Sequence, residues 1–101
     1  MQVDFSQQLI SPNGKPLKKT KESEEIFTLL DACLEALLGW RAQPGKNLEI
    51  YTLWPKIAVG GEIDLKAEEV VFLKDRLENS PIFTALTNGQ AIMMLDAAVS
   101  A

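Results

Sequence analysis

The chain has 101 residues, 47 % hydrophobic and 24 % charged, with a net charge of −4, the size and balance of one small domain with a single apolar core. Histidine is absent and Cys33 is the one cysteine, which excludes a histidine-based hydrolytic triad, a Cys/His metal site and an internal disulfide. No apolar run nears the roughly 18 residues of a bilayer span, and the start, MQVDF, has neither a basic n-region nor an apolar h-region, so a cytoplasmic protein without membrane contact is expected.

The charge is divided along the chain. Residues 1–21 hold Lys15, Lys18, Lys19 and Lys21 against Asp4, a local balance of +3, while residues 22–101 hold six basic and thirteen acidic side chains, a balance of −7. An acidic body opposes approach to DNA or an anionic membrane, so any contact with nucleic acid has to rest on the four lysines. Lysines on an edge strand also protect it from aggregation, which is the simpler reason for their presence.

Val3 to Ile10, followed by Ser11-Pro12-Asn13-Gly14-Lys15, reads as a β-hairpin. Asn13-Gly14 suits a two-residue type I′ turn, which sets Pro12 opposite Lys15, Ile10 opposite Leu17 and Gln8 opposite Lys19. That register puts Val3, Phe5 and Leu9 on one face, to lie on a helical core, and Pro16 keeps the returning strand at an edge.

Glu24 to Leu38 is the strongest helical stretch and the predicted centre of the core. Ile26, Leu29, Leu30, Cys33 and Leu37 form one apolar row, with Phe27, Leu34 and Leu38 widening it and Glu24, Thr28, Asp31 and Glu35 forming a polar seam. Thr20 or Ser23 is its expected N-cap, and Gly39 its stop. Cys33 on the apolar row is expected to pack, and Trp40 to close the corner of the core.

Asn47 to Val59 fits two periods. Leu48, Ile50, Thr52 and Trp54 alternate as in a strand, while Ile50, Leu53, Trp54 and Ile57 fit a helix; length favours helix, with Pro55 kinking it or starting a second turn. Gly60-Gly61 ends the segment, and Glu62-Ile63-Asp64 is short and extended. A helix is predicted over 66–79, capped by Asp64, with Val70, Leu73 and Leu77 inward and Glu68, Glu69, Asp75, Arg76 and Glu78 toward water. Ser80-Pro81 opens another helix, Asn88-Gly89 is expected to break it, and Gln90 to Ala98 forms the last.

The resulting expectation is an α+β fold, an N-terminal β-hairpin over 1–20 packed on a small bundle of about four helices over 21–101, in one domain. The carboxylate pairs Glu24/Glu25 and Glu68/Glu69 sit at predicted helix starts, where the dipole favours acid without any catalytic or metal role. No cofactor, metal or catalytic residue is expected. Ile82, Phe83, Ile92, Met93 and Met94 exceed what one short helix needs to bury, and are the candidate partner-binding residues; Lys15, Lys18, Lys19 and Lys21 are the candidate anion contacts.

The NGKPL turn, the helix DACLEALL, the segment IYTLWPKI, the stretch GEIDLKAEEVVFLKDRL and the closing NGQAIMMLD together resemble small uncharacterised proteins of tailed bacteriophages and prophages. Asp4-Phe5-Ser6, Asn13-Gly14-Lys15-Pro16, Glu35-Ala36-Leu37-Leu38 and Glu62-Ile63-Asp64-Leu65 carry the resemblance, with Lys66 standing where a threonine cap is usual. These are turn and capping motifs, so the resemblance implies an origin rather than an activity. It implies a phage accessory or assembly role; the missing catalytic signals add the expectation of a non-enzymatic protein acting through protein–protein interaction, and the apolar surplus of residues 82–101 that of a dimer, with another phage protein as the other partner expected. The alternative is a nucleic-acid-binding regulator using the basic hairpin and a C-terminal helix.

Overall fold

In a computed structural model, which describes residues 1–18, 25–39, 45–79 and 85–100, the protein is α+β, an antiparallel N-terminal hairpin and four helices around one apolar cluster. The elements are β1 (Gln2–Asp4), α1 (Leu29–Leu38), α2 (Asn47–Ala58), β2 (Glu62–Asp64), α3 (Ala67–Glu78) and α4 (Ala85–Ser100). α1 packs on α2, α3 and α4, and α4 packs on α3, so α1 is the hub.

The N-terminal segment is pinned by its backbone. β1 pairs antiparallel with β2, Val3 opposite Ile63, a partner about 60 residues away in the chain. The Phe5 N–H donates to Gly61 O at 2.8 Å, Leu30 N–H to Phe5 O at 3.0 Å and Leu29 N–H to Gln7 O at 2.9 Å. Three peptide groups then close a ring: Leu9 N–H donates to Phe27 O, Phe27 N–H to Leu17 O and Leu17 N–H to Leu9 O, at 3.0, 2.6 and 2.8 Å. The segment can therefore bury Val3, Phe5 and Leu9 completely, as their alternation predicts, because its own peptide groups have partners.

The hairpin register differs by one residue from the expected one. Ser11 N–H donates to Lys15 O and Ile10 lies opposite Pro16, so the loop is Pro12-Asn13-Gly14 and Gln8 faces Thr28 instead of Lys19. Proline's fixed φ suits the first corner of a type I turn, and Gly14 (φ +83°) supplies the left-handed residue of a three-residue loop. Asn13 has no positive φ, which a type I′ turn requires. It instead accepts from Lys15 N–H at 3.0 Å through its side chain. The outer edge of Ile10 is closed by Gln90 of α4, whose amide accepts from Ile10 N–H at 2.8 Å and donates to Ile10 O at 2.6 Å, as a neighbouring strand would.

α1 begins at Leu29, later than its apolar row suggests. Thr28 is the N-cap, and Thr28 and Asp31 exchange side-chain and backbone hydrogen bonds in a capping box. Ile26 to Thr28 are claimed by the bridges to Lys18 and Gln8, which is why the helix cannot extend through them. Gly39 ends it as predicted, while Leu38 is 50 % exposed rather than buried. Thr20, Ser23, Glu24 and Trp40, and the start expected at Ser80-Pro81, lie outside the described residues.

Of the two periods that fit residues 47–59, the helix that length favours is the one that forms: residues 47–58 are one helix with Pro55 inside it, the row Ile50, Leu53, Trp54 and Ile57 facing the core cluster. Two further expectations are corrected. α3 starts from Lys66, whose N–H donates to Glu69 Oε1 at 2.8 Å; Asp64 does not cap it but pairs with the Met1 amine at 2.8 Å. α4 runs without a break through Asn88-Gly89, since one glycine costs a helix only about 1 kcal/mol, less than the burial of Ala91 and Leu95 returns. Gly89 has no positive φ and nothing within 4 Å of an added Cβ. Gly89→Ala is therefore expected to stabilise the fold by about 0.5–1 kcal/mol in urea denaturation; destabilisation would show a glycine-dependent break at this point.

Candidate functional site

α2 and α3 both rest on α1 but are not among the closely packed pairs, and the space between them is a groove of about 390 Å³. Leu48, Glu49, Thr52 and Leu53 form the α2 wall, and Glu68, Glu69 and Phe72 the α3 wall. Each set recurs one turn apart, which is why both helices present it along one face. The lining is mostly apolar, since Thr52 spends its hydroxyl on Leu48 O at 2.8 Å.

Polar contacts pin the groove at both ends. At one, Lys56 Nζ of α2 meets Glu69 Oε1 of α3 at 2.9 Å. At the other, Arg76 Nη2 of α3 donates to Gly45 O, just before α2, at 2.8 Å. The helices therefore run antiparallel, held apart at a set distance. Burial pushes the Glu69 carboxyl up, but the Lys66 N–H and the Lys56 ammonium outweigh it and hold it below its ordinary value. Glu49 and Glu68 are exposed on opposite rims, and among the described residues neither has an ion pair.

Arg76 is the residue that sequence patterning misplaces. It is 2 % exposed, not on the water face, with its guanidinium 5.1 Å from the Phe72 ring centroid. Its contact with Gly45 fixes the entry to α2, where Gly45 and Lys46 both adopt positive φ (93° and 60°), an uncommon conformation for lysine. The signal was present but faint: Arg76 follows Leu73 by three and Phe72 by four, at the margin of the buried stripe.

Among the described residues, the other sequence-predicted sites do not join the groove. Met93 is 72 % exposed on α4, while Ile92 and Met94 are half buried against the core, so the apolar surplus at this end is divided between interior and surface. Lys15 and Lys18 are exposed on the hairpin; Lys19, Lys21, Ile82 and Phe83 lie outside the described residues. Cys33 is fully buried and its thiol is pushed up to about 12 by desolvation, which keeps it protonated and unreactive. Among the described residues no cluster of metal-ligating side chains occurs, and no helix is long and apolar enough to cross a membrane.

Comparison of the chain with protein-family models, curated proteins and solved structures gives no match.

Two measurements test the ends of the groove. Arg76→Ala is expected to cost about 2–4 kcal/mol of unfolding free energy, through a lost charged hydrogen bond and ring contact. Arg76→Lys should recover less than half of it, because an ammonium lacks the planar fork. Glu69, with its carboxyl held low, stabilises the fold at pH values above its unfolded pKa of about 4.3. That contribution is lost as pH falls through the lower folded value, so Glu69→Gln should flatten the decline of the urea midpoint below that pH; an unchanged slope would remove Glu69 from acid unfolding.

Proposed function

We propose that this protein works by binding another protein, as a small accessory or assembly protein of a phage or prophage acting in the host-cell cytoplasm, and not as an enzyme. The observation that carries the reading is the α2–α3 groove, an apolar trough spanned by polar contacts at both ends and lined by Leu48, which is 75 % exposed, with Leu53 and Phe72. Large apolar side chains at the mouth of an apolar trough lose free energy by staying in water and gain it when a partner covers them. The phage assignment rests on the turn and capping motifs alone.

The rival is nucleic-acid binding through the hairpin lysines. The body around the groove is acidic, which opposes phosphate, and Lys15 and Lys18 are separate from the groove lining.

A photoreactive side chain placed at Thr52, an exposed residue of the α2 wall, tests the reading in cells. The expected result is one discrete crosslinked protein, identified by mass, which binds the purified chain with an affinity that Leu48→Ser lowers at least tenfold. No discrete product at position 52, together with filter retention of DNA that is lost in Lys15→Glu/Lys18→Glu, would overturn it in favour of the rival.

A further inference from the structure

The charged groups at the two ends of the groove have partners that its rim charges, among the described residues, lack: Glu69 pairs with Lys56 and accepts from the Lys66 N–H, and Arg76 donates to Gly45 O and lies over the Phe72 ring. Glu49 on α2 and Glu68 on α3 are left as exposed negative charges on the two walls, Glu49 toward the Gly45 end and Glu68 toward the Lys56 end, beside an apolar floor of Leu48, Leu53 and Phe72. Any occupant has to offer apolar groups inward and positive charge on both flanks.

The dimensions narrow the occupant further. The lining spans Leu48 to Leu53 on one helix and Glu68 to Phe72 on the other, about 7.5 and about 6 Å along the two axes at 1.5 Å per residue. That is roughly one helical turn. An amphipathic helix presents two apolar side chains at i and i+3 or i+4 over this length, with its polar flanks on either side.

We propose that the α2–α3 groove is the seat of a basic amphipathic helix of a protein partner, two of whose apolar side chains one turn apart enter the floor while flanking lysines or arginines meet Glu49 and Glu68. This rests on the reading of the groove as a protein-binding surface and adds the chemistry of the partner. The chain's own basic hairpin is less suited to the role, because the loop at its tip, Pro12-Asn13-Gly14, offers no large apolar side chain.

The test is a display selection on the purified wild-type protein, using a library of short helices whose apolar positions vary among Leu, Ile, Met and Phe and whose flanking positions vary freely among Lys, Arg, Glu, Gln and Ser. Enriched sequences are expected to carry basic residues on both flanks of an i, i+3 or i, i+4 apolar pair. A fluorescent peptide from that set should lose about tenfold in affinity when both rim charges are reversed in Glu49→Lys/Glu68→Lys, as expected for two exposed ion pairs turned repulsive. The same variant should gain binding to the peptide with its basic residues replaced by Glu. Reversal of two exposed carboxylates elsewhere, in Glu35→Lys/Glu62→Lys, changes net charge equally and should leave affinity within about twofold.

Several results would overturn the proposal: no enrichment, enrichment of acidic or uncharged flanks, or an equal loss in the distant variant, which would reduce the effect to net charge. Amide shifts on peptide addition should fall on residues 48–53 and 68–72. Shifts confined to α4 around Met93 would remove the groove while leaving a protein-binding function in place, and sedimentation showing the wild-type groove closed by a second copy would replace the partner helix with self-association.

Discussion

The structure depends on the way the first ten residues hide their backbone. Val3, Phe5 and Leu9 reach the interior only because the peptide groups around them are matched by β2, by the start of α1 and by the returning hairpin strand. An unmatched buried peptide group costs about 1–3 kcal/mol, so the segment cannot be partly docked without losing several such terms together. The ring among Leu9, Leu17 and Phe27 ties three separate stretches at one point. It forces residues 26–28 to remain extended and moves the start of α1 to Leu29.

α1 then sets the arrangement of the other helices. Ala32, Cys33 and Ala36 are fully buried on it and small, and they let neighbours approach on more than one side. α2 and α3 each take a place against this helix rather than against each other. Two helices resting on a third leave a gap where their own side chains do not meet, and the Lys56–Glu69 and Arg76–Gly45 contacts keep that gap at constant width. The groove is thus a by-product of packing on α1 that polar contacts have made permanent, while its exposed rim charges follow from acid placed in the first turns of α2 and α3.

Much of this was legible in residue order. The inward faces of α1, α2 and α3 followed from helical spacing, with Leu29, Cys33 and Leu37, Leu53 and Ile57, and Val70, Leu73 and Leu77 all buried. So did the stop at Gly39 and the extended Glu62–Asp64. What failed did so for one of two reasons. The hairpin register, the break at Asn88-Gly89 and the Asp64 cap were local signals that lost to competing ones: Pro12 and Gly14 in a three-residue loop, Leu95 in the core, and the Met1 amine. Arg76 was misplaced because charge is read as exposure, although a guanidinium can be buried when a carbonyl and an aromatic face receive it.

The sequence by itself determined the class of fold, the inward faces of α1, α2 and α3, the packing role of its single cysteine and the division into a basic front and an acidic body. These depend on periodicity and composition, which act over a few residues or over the whole chain at once. Only the tertiary structure decided that β1 pairs with β2, that Gln90 closes the edge of Ile10, and that Glu49 and Glu68 line the two walls of one apolar trough. Each of these joins residues between 19 and 80 positions apart, and which distant groups meet is set by how the helices share α1, a choice that no local pattern encodes.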